Sequence, residues 1–198
     1  MTKAIAIIEG EHRNLGALLI CLKALIREIE QQHKKPDFKV FHAILNYLDT
    51  FLARYHHPKE DNCLFPTLLY RHPEAKAVIK DLGRQHRRGV ALLTELRRAL
   101  AAYEYEGHKA FSTFKAAALI YADFERDHAY QEEREVLPLA REYLTDEDWE
   151  EMNRAFSDHN DPLFGDARKA EYERLYHLIA NMTPAPHGFG KAWQEEQS

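Results

Sequence analysis

His12 and His86 open two stretches of chain that repeat each other. In His12-Arg13-Asn14-Leu15-Gly16-Ala17-Leu18-Leu19 and His86-Arg87-Arg88-Gly89-Val90-Ala91-Leu92-Leu93, the His, Arg, Ala and two Leu recur in register, and a further Leu follows at 22 and 96. A second pair repeats in the same order: His56-His57-Pro58-Lys59-Glu60-Asp61, then Leu64-Phe65-Pro66, against His128-Ala129-Tyr130-Gln131-Glu132-Glu133, then Val136-Leu137-Pro138. The shared frame is HxxxE, an acid, two residues, two apolar residues and a proline. Side chains four apart on a helix share one face, so each HxxxE pair can act from a single helix on a common target. A lone HxxxE is common and says little. Two of them, alternating with two Arg-followed His, make a duplicated ligand set. Burying four imidazoles and two carboxylates without partners would be costly. Together His12, His56, Glu60, His86, His128 and Glu132 can hold two cations, with the carboxylates bridging ions roughly 3.5–4 Å apart. Imidazole with carboxylate and no thiolate suits Fe or Mn better than a structural zinc, although Zn can occupy similar ligands. His57 with Asp61 is also spaced by four and stands as the alternative to His56 with Glu60; the repeat favours the latter.

The elements that must position these groups are helices. Ile5, Ile8, Leu15, Leu18, Leu22, Leu25 and Ile29 recur at helical spacing and predict a first helix over about 3–32. Asp37 is a candidate N-cap for a second, running to about Tyr70, which Pro58 and Pro66 should kink or break. Pro73 suits the first position of a third helix, to about Glu104, and Gly107 separates it from a fourth over about 109–143. Each would reach roughly 45 Å at 1.5 Å per residue. The duplication makes helices one and two, and three and four, two copies of a hairpin. Short links then give an all-α, up-down-up-down four-helix bundle over 1–144. Hairpin duplication predicts a nearly symmetric centre, with one metal's ligands on each hairpin. Thr145-Asp-Glu-Asp148 has the form of a capping box and opens a short helix to about Ser157. A loop at 159–165 and a last helix at about 166–181 complete a C-terminal appendage, 145–182, packed on the bundle or at a homodimer contact. Residues 183–198 read as a loose tail.

Composition excludes several classes of function. The chain has 198 residues, enough for one domain with a continuous core, and a net charge of -5 that gives no basic field for nucleic acid. No apolar run is long enough to span a membrane, and the N-terminus does not read as a signal peptide, so a cytoplasmic location is expected. Cys21 and Cys63 form no CxxC motif and read as small core residues. No nucleophile triad, phosphate-binding Gly loop or dinucleotide fingerprint is present.

The set His12, His56-xxx-Glu60 with Leu64-Phe65-Pro66, His86, and His128-xxx-Glu132 with Leu137-Pro138 resembles the hemerythrin-like HHE cation-binding domain, over about residues 3–143. The resemblance implies a four-helix bundle with a non-haem di-iron centre. In it His12, His56, His86 and His128 would be terminal ligands, and Glu60 and Glu132 would bridge two Fe ions beside an oxo or hydroxo group. The oxygen-carrying members have a second His one turn from the first on helix three, whereas Leu82 and Val90 stand there in this chain. Four His predict a near-symmetric site suited to sensing, reducing or otherwise handling a small diatomic or peroxide ligand (O2, peroxide or NO), or to iron handling, more than to simple oxygen carriage. Glu9 and Glu125, about one turn before His12 and His128, are candidates to orient those imidazoles. Tyr121 and Cys63 are candidates to line the cavity.

Overall fold

A computed structural model describes residues 2–32, 34–157, 174, 176, 177 and 179–181; all regular elements among them are helical. Helix α1 (Lys3–Gln32) buries the predicted stripe, and its Ala4 N–H is capped by the side-chain carbonyl of Asn153 at 2.9 Å. Asp37 caps α2 as expected, accepting from Lys39 N at 3.0 Å. Helix α2 runs unbroken over 38–71, but its winding changes. Phe38–Tyr47, His57–Lys59 and Phe65–Arg71 are α-helical, while Leu48–His56 and Glu60–Leu64 are π-helical.

The prolines account for these changes. Pro58, Pro66 and Pro138 each follow a π-helical stretch, and the residue before each donates its N–H five residues back: His57 to Leu52, Phe65 to Glu60, Leu137 to Glu132. A proline lacks the amide proton and its ring clashes with the carbonyl four residues earlier. Widening the preceding turn removes the clash without ending the helix, so the expected kink becomes a π turn.

Helix α3 begins with a 3-10 turn at Pro73–Ala75 and continues over Lys76–Glu106. Gly107, at φ 68°, reverses the chain into α4, where a side chain would be strained. Helix α4 comprises His108–Gln131, a π turn at Glu132–Val136, and Leu137–Tyr143. The short helix α5 (Asp146–Ser157) starts at the predicted capping box: Thr145 N donates to Asp148 Oδ2 at 2.9 Å, and Asp148 N to Thr145 Oγ1 at 3.3 Å. Beyond it, the described residues between 174 and 181 are helical, with Ile179 buried. The rest of the predicted last helix, the loop at 159–165 and the tail at 183–198 lie outside the described residues.

The core divides into two apolar clusters. One contains Leu15, Leu22, Phe41, Leu48, Leu96, Phe114 and Tyr121. The other contains Ile5, Ile8, Leu64, Phe65, Leu82, Val136 and, from α5, Trp149, Met152 and Phe156. On every long helix the candidate ligands lie in sequence between members of the first cluster and members of the second. They form a polar layer across the bundle, closed at one end by α5. No described helix is long and apolar enough to cross a membrane.

The α5 cap yields a stability test. Arg71 grips Asp148 through Nε at 2.7 Å and Nη2 at 3.0 Å, and holds its carboxyl below the usual carboxylate range. Thr145→Ala should cost about 1 kcal/mol in a urea titration. The folded pKa of Asp148 is depressed, so its own stabilisation is complete at neutral pH and is lost as pH falls through that value. Asp148→Asn should therefore narrow its deficit against wild type as the titration is repeated in acid.

Candidate metal centre

All six predicted residues meet in the polar layer, and a seventh, His57, joins them. The seven are between 0 % and 6 % exposed, too little for water to solvate them. They form two groups whose ligand atoms lie within 4.8 Å of one another: His57, Glu60, His86 and His128 in one, His12, His56, Glu60 and Glu132 in the other. His12 and His56 of the first hairpin fall in one group and His86 and His128 of the second in the other, with Glu60 in both; His57 makes five imidazoles at the centre where the repeat marks four. His56 ends the π-helical stretch Leu48–His56 and His57 opens the short α turn after it, and both are buried.

Four of the imidazoles share one design. Each presents Nε2 to the centre and has Nδ1 against an acceptor that sits beside a ligand on another helix. Glu11 on α1 accepts from His56 on α2 at 2.8 Å, and Asp61 on α2 from His86 on α3 at 3.0 Å. Gln85 on α3 accepts from His128 on α4 at 3.0 Å, and Glu133 on α4 from His12 on α1 at 3.1 Å, which closes the ring. Such bonds fix tautomer and ring orientation. Inside the ring, His12 Nε2 is 3.2 Å from His56 Nε2 and 3.3 Å from Glu132 Oε2. His56 Nε2 lies 3.2 Å and His86 Nε2 3.6 Å from Glu60 oxygens, and His128 Nε2 lies 3.7 Å from Glu132 Oε1.

The predicted orienting residues are not the ones used. Glu9 pairs with Arg141 on the surface. Glu125 is buried beside Gly89, where a Cβ would stand 2.7 Å from its Oε1, and it accepts from Tyr121. Burial pushes its carboxyl up to about 7. Cys63 is half-buried and belongs to neither group. The signal for the true set was present in the repeat: Glu11 and Gln85 match in position, as do Asp61 and Glu133.

Electrostatics follows the ring. Burial opposes charge on His12 and His86, but their carboxylate partners outweigh it and carry both up to about 9. His128 has the neutral Gln85 as its partner, and burial takes it down to about 4. His57 is lowered well below its ordinary value by burial and then by His86, His56 and His128. Burial, followed by Glu132, drives the Glu60 carboxyl well above its range. Burial acts the same way on Glu132, yet His12 and His128 hold it well below.

Several buried polar atoms in this layer lack any hydrogen-bond partner: Nε2 of His57, His86 and His128, and both carboxylate oxygens of Glu60 and Glu132. Unpaired lone pairs that converge at this depth could hold metal, and the two overlapping groups fit a pair of cations. Two cavities approach it. One of about 510 Å³ opens between α3 and α4 beside Arg88 and Asp127 and reaches His128; another of about 220 Å³ between α1 and α4 reaches His12.

A helical bundle crossed by a buried layer of imidazoles and carboxylates defines a cation-binding bundle. The chain matches the family model described as Hemerythrin HHE cation binding domain over residues 3–140, and it belongs to that family. Comparison with curated proteins and with solved structures returned no match.

Proposed function

We propose that the chain binds two metal ions in this layer, iron first among them, and that the loaded centre binds, senses or reduces a small oxidant such as O2, peroxide or nitric oxide. The observation that carries this reading is the set of buried, converging and unpartnered Nε2 and carboxylate atoms. One ion would lie among Glu60, His86 and His128, with His57 in reach; the other among His12, His56, Glu60 and Glu132. Glu60 belongs to both groups and suits a bridging role. Five imidazoles and two carboxylates without thiolate favour iron or manganese over structural zinc. Iron there would supply a redox couple and a site for a diatomic or peroxide ligand. The chain's own residues do the rest: two carboxylates offset the ions' charge, the ring of Nδ1 acceptors holds the imidazoles, and the apolar clusters on either side keep water out. The two cavities are wide enough for a small ligand.

Elemental analysis with absorption spectra before and after reduction tests the reading. About two irons per chain and a spectrum that changes with O2, H2O2 or NO are expected. Protein that takes up no iron overturns it, and loaded protein blind to all three oxidants removes its second half. Gln85→Ala, which frees His128 Nδ1, should weaken metal affinity by about 10–100-fold in a chelator competition; unchanged affinity would separate the Nδ1 ring from metal binding.

A non-enzymatic, iron-responsive module is the second reading, favoured by one contact. Lys59, next to Glu60, lies 3.9 Å from the Tyr55 ring and 5.5 Å from that of Phe156, and reaches the Phe156 carbonyl at 3.4 Å, so α5 rests on the turn bearing Glu60. Under this reading, metal loading protects α5 from proteolysis. Equal cleavage with and without metal would reject it.

A further inference from the structure

His57 stands apart from the other four imidazoles in two respects. The four form two edge-on pairs, His12 with His56 at 68° and His86 with His128 at 71°, and steeply inclined rings can aim their in-plane lone pairs at one ion. His57 is edge-on to His128 at 79° but lies flat on His86, with centroids 4.0 Å apart and planes at 11°. An imidazole donates in its own ring plane, and two stacked, near-parallel rings have no common point at bonding distance. As placed, His57 and His86 cannot both coordinate the same ion. The second difference is anchoring. Each of the four has its Nδ1 on Glu133, Glu11, Asp61 or Gln85, whereas no such Nδ1 bond to a neighbouring helix is seen for His57 among the described residues. Like His86 and His128, it has a buried Nε2 without a partner, and its ligand atom lies within 4.8 Å of those of Glu60, His86 and His128.

We propose that His57 is a displaceable ligand, turning between a stack on His86 and coordination of the ion held by Glu60, His86 and His128, and so competing with exogenous ligands for one position on that ion. This inference rests on the proposed two-metal centre. The anchored pairs give each ion two fixed imidazoles, which restores the symmetry of the duplicated sequence, and His57 is the one added group. An unanchored ring needs no broken hydrogen bond to leave, so its release is cheaper than that of any neighbour. The result is a centre closed by its own side chain until a small anion or oxidant displaces it.

The test loads wild type, His57→Ala and His57→Gln with iron. It measures metal per chain and titrates azide against the ferric proteins by absorption. Both variants should retain about two irons, since four anchored imidazoles and two carboxylates remain. If His57 occupies its position roughly nine-tenths of the time, removing it should tighten azide binding about tenfold. Unchanged azide affinity, or a variant that loses one iron as His86→Ala should, overturns the inference and makes His57 a bystander or a permanent ligand respectively. Wild type that binds no iron overturns the metal centre itself, a result distinguishable from either.

Discussion

Glu60→Leu should reduce bound iron from about two per chain to less than one, because this carboxylate belongs to both groups of candidate ligands. The same substitution should act in the opposite direction on the metal-free protein. Glu60 is fully buried, both its oxygens lack hydrogen-bond partners, and its carboxyl is driven well above its normal range. Such a group destabilises the fold it sits in, at about 1–3 kcal/mol for an unsatisfied buried polar group. Metal-free Glu60→Leu should therefore resist urea better than metal-free wild type, with the order reversed once iron is added. A layer that served only as internal ion pairing would behave otherwise, since removing one partner would weaken the fold with or without iron. Iron content and paired urea titrations check both halves of the result.

Phe156→Ala should be the most damaging change outside the polar layer. Phe156 is 1 % exposed, packs into the cluster formed by Ile5, Ile8, Phe65 and Leu68, and supports Lys59 beside Glu60. Truncating a buried Phe costs about 3–5 kcal/mol. The cavity would open against the helix turns that carry Glu60, so removal of iron by a chelator should also be faster. A loss below about 1 kcal/mol in a urea titration would mean that α5 is a loosely held cover and contributes little to the bundle.

The long helices were legible because their apolar stripes are regular and their ends carry ordinary signals: Asp37 as a cap, Pro73 near a start, Gly107 at a reversal. The six residues of the duplicated motif were legible for a related reason, since two copies of one pattern mark the positions that both copies need. His57 was legible only as the alternative to His56, through its spacing of four from Asp61, because adjacent residues of a helix point about 100° apart and the repeat favours His56. Pro58, Pro66 and Pro138 each follow a widened turn, where a kink was expected at Pro58 and Pro66. The Nδ1 acceptors were missed for a geometric reason. Glu9 and Glu125 were sought one turn from a His on its own helix, whereas each acceptor used serves a ring on another helix. Such partners depend on helix packing, which one helix's periodicity cannot report.

A π turn is a helical turn with one residue too many, and that gives this chain an unusual sensitivity to length. Asn62 is exposed and lies within the π turn at Glu60–Leu64. Exchanging it for another polar residue touches nothing in the core. Deleting it would let the turn relax to α winding with Phe65 still one turn below Glu60, so Phe65 and Leu68 would keep the core face while the Pro66 ring would meet the carbonyl that the wider turn clears. The matching turn at Glu132–Val136 places Arg134, also exposed, in the same position. The extra residue after each HxxxE motif is what lets a proline sit inside an unbroken helix, and its loss should show as a kink at Pro66 or Pro138 rather than as a turned face.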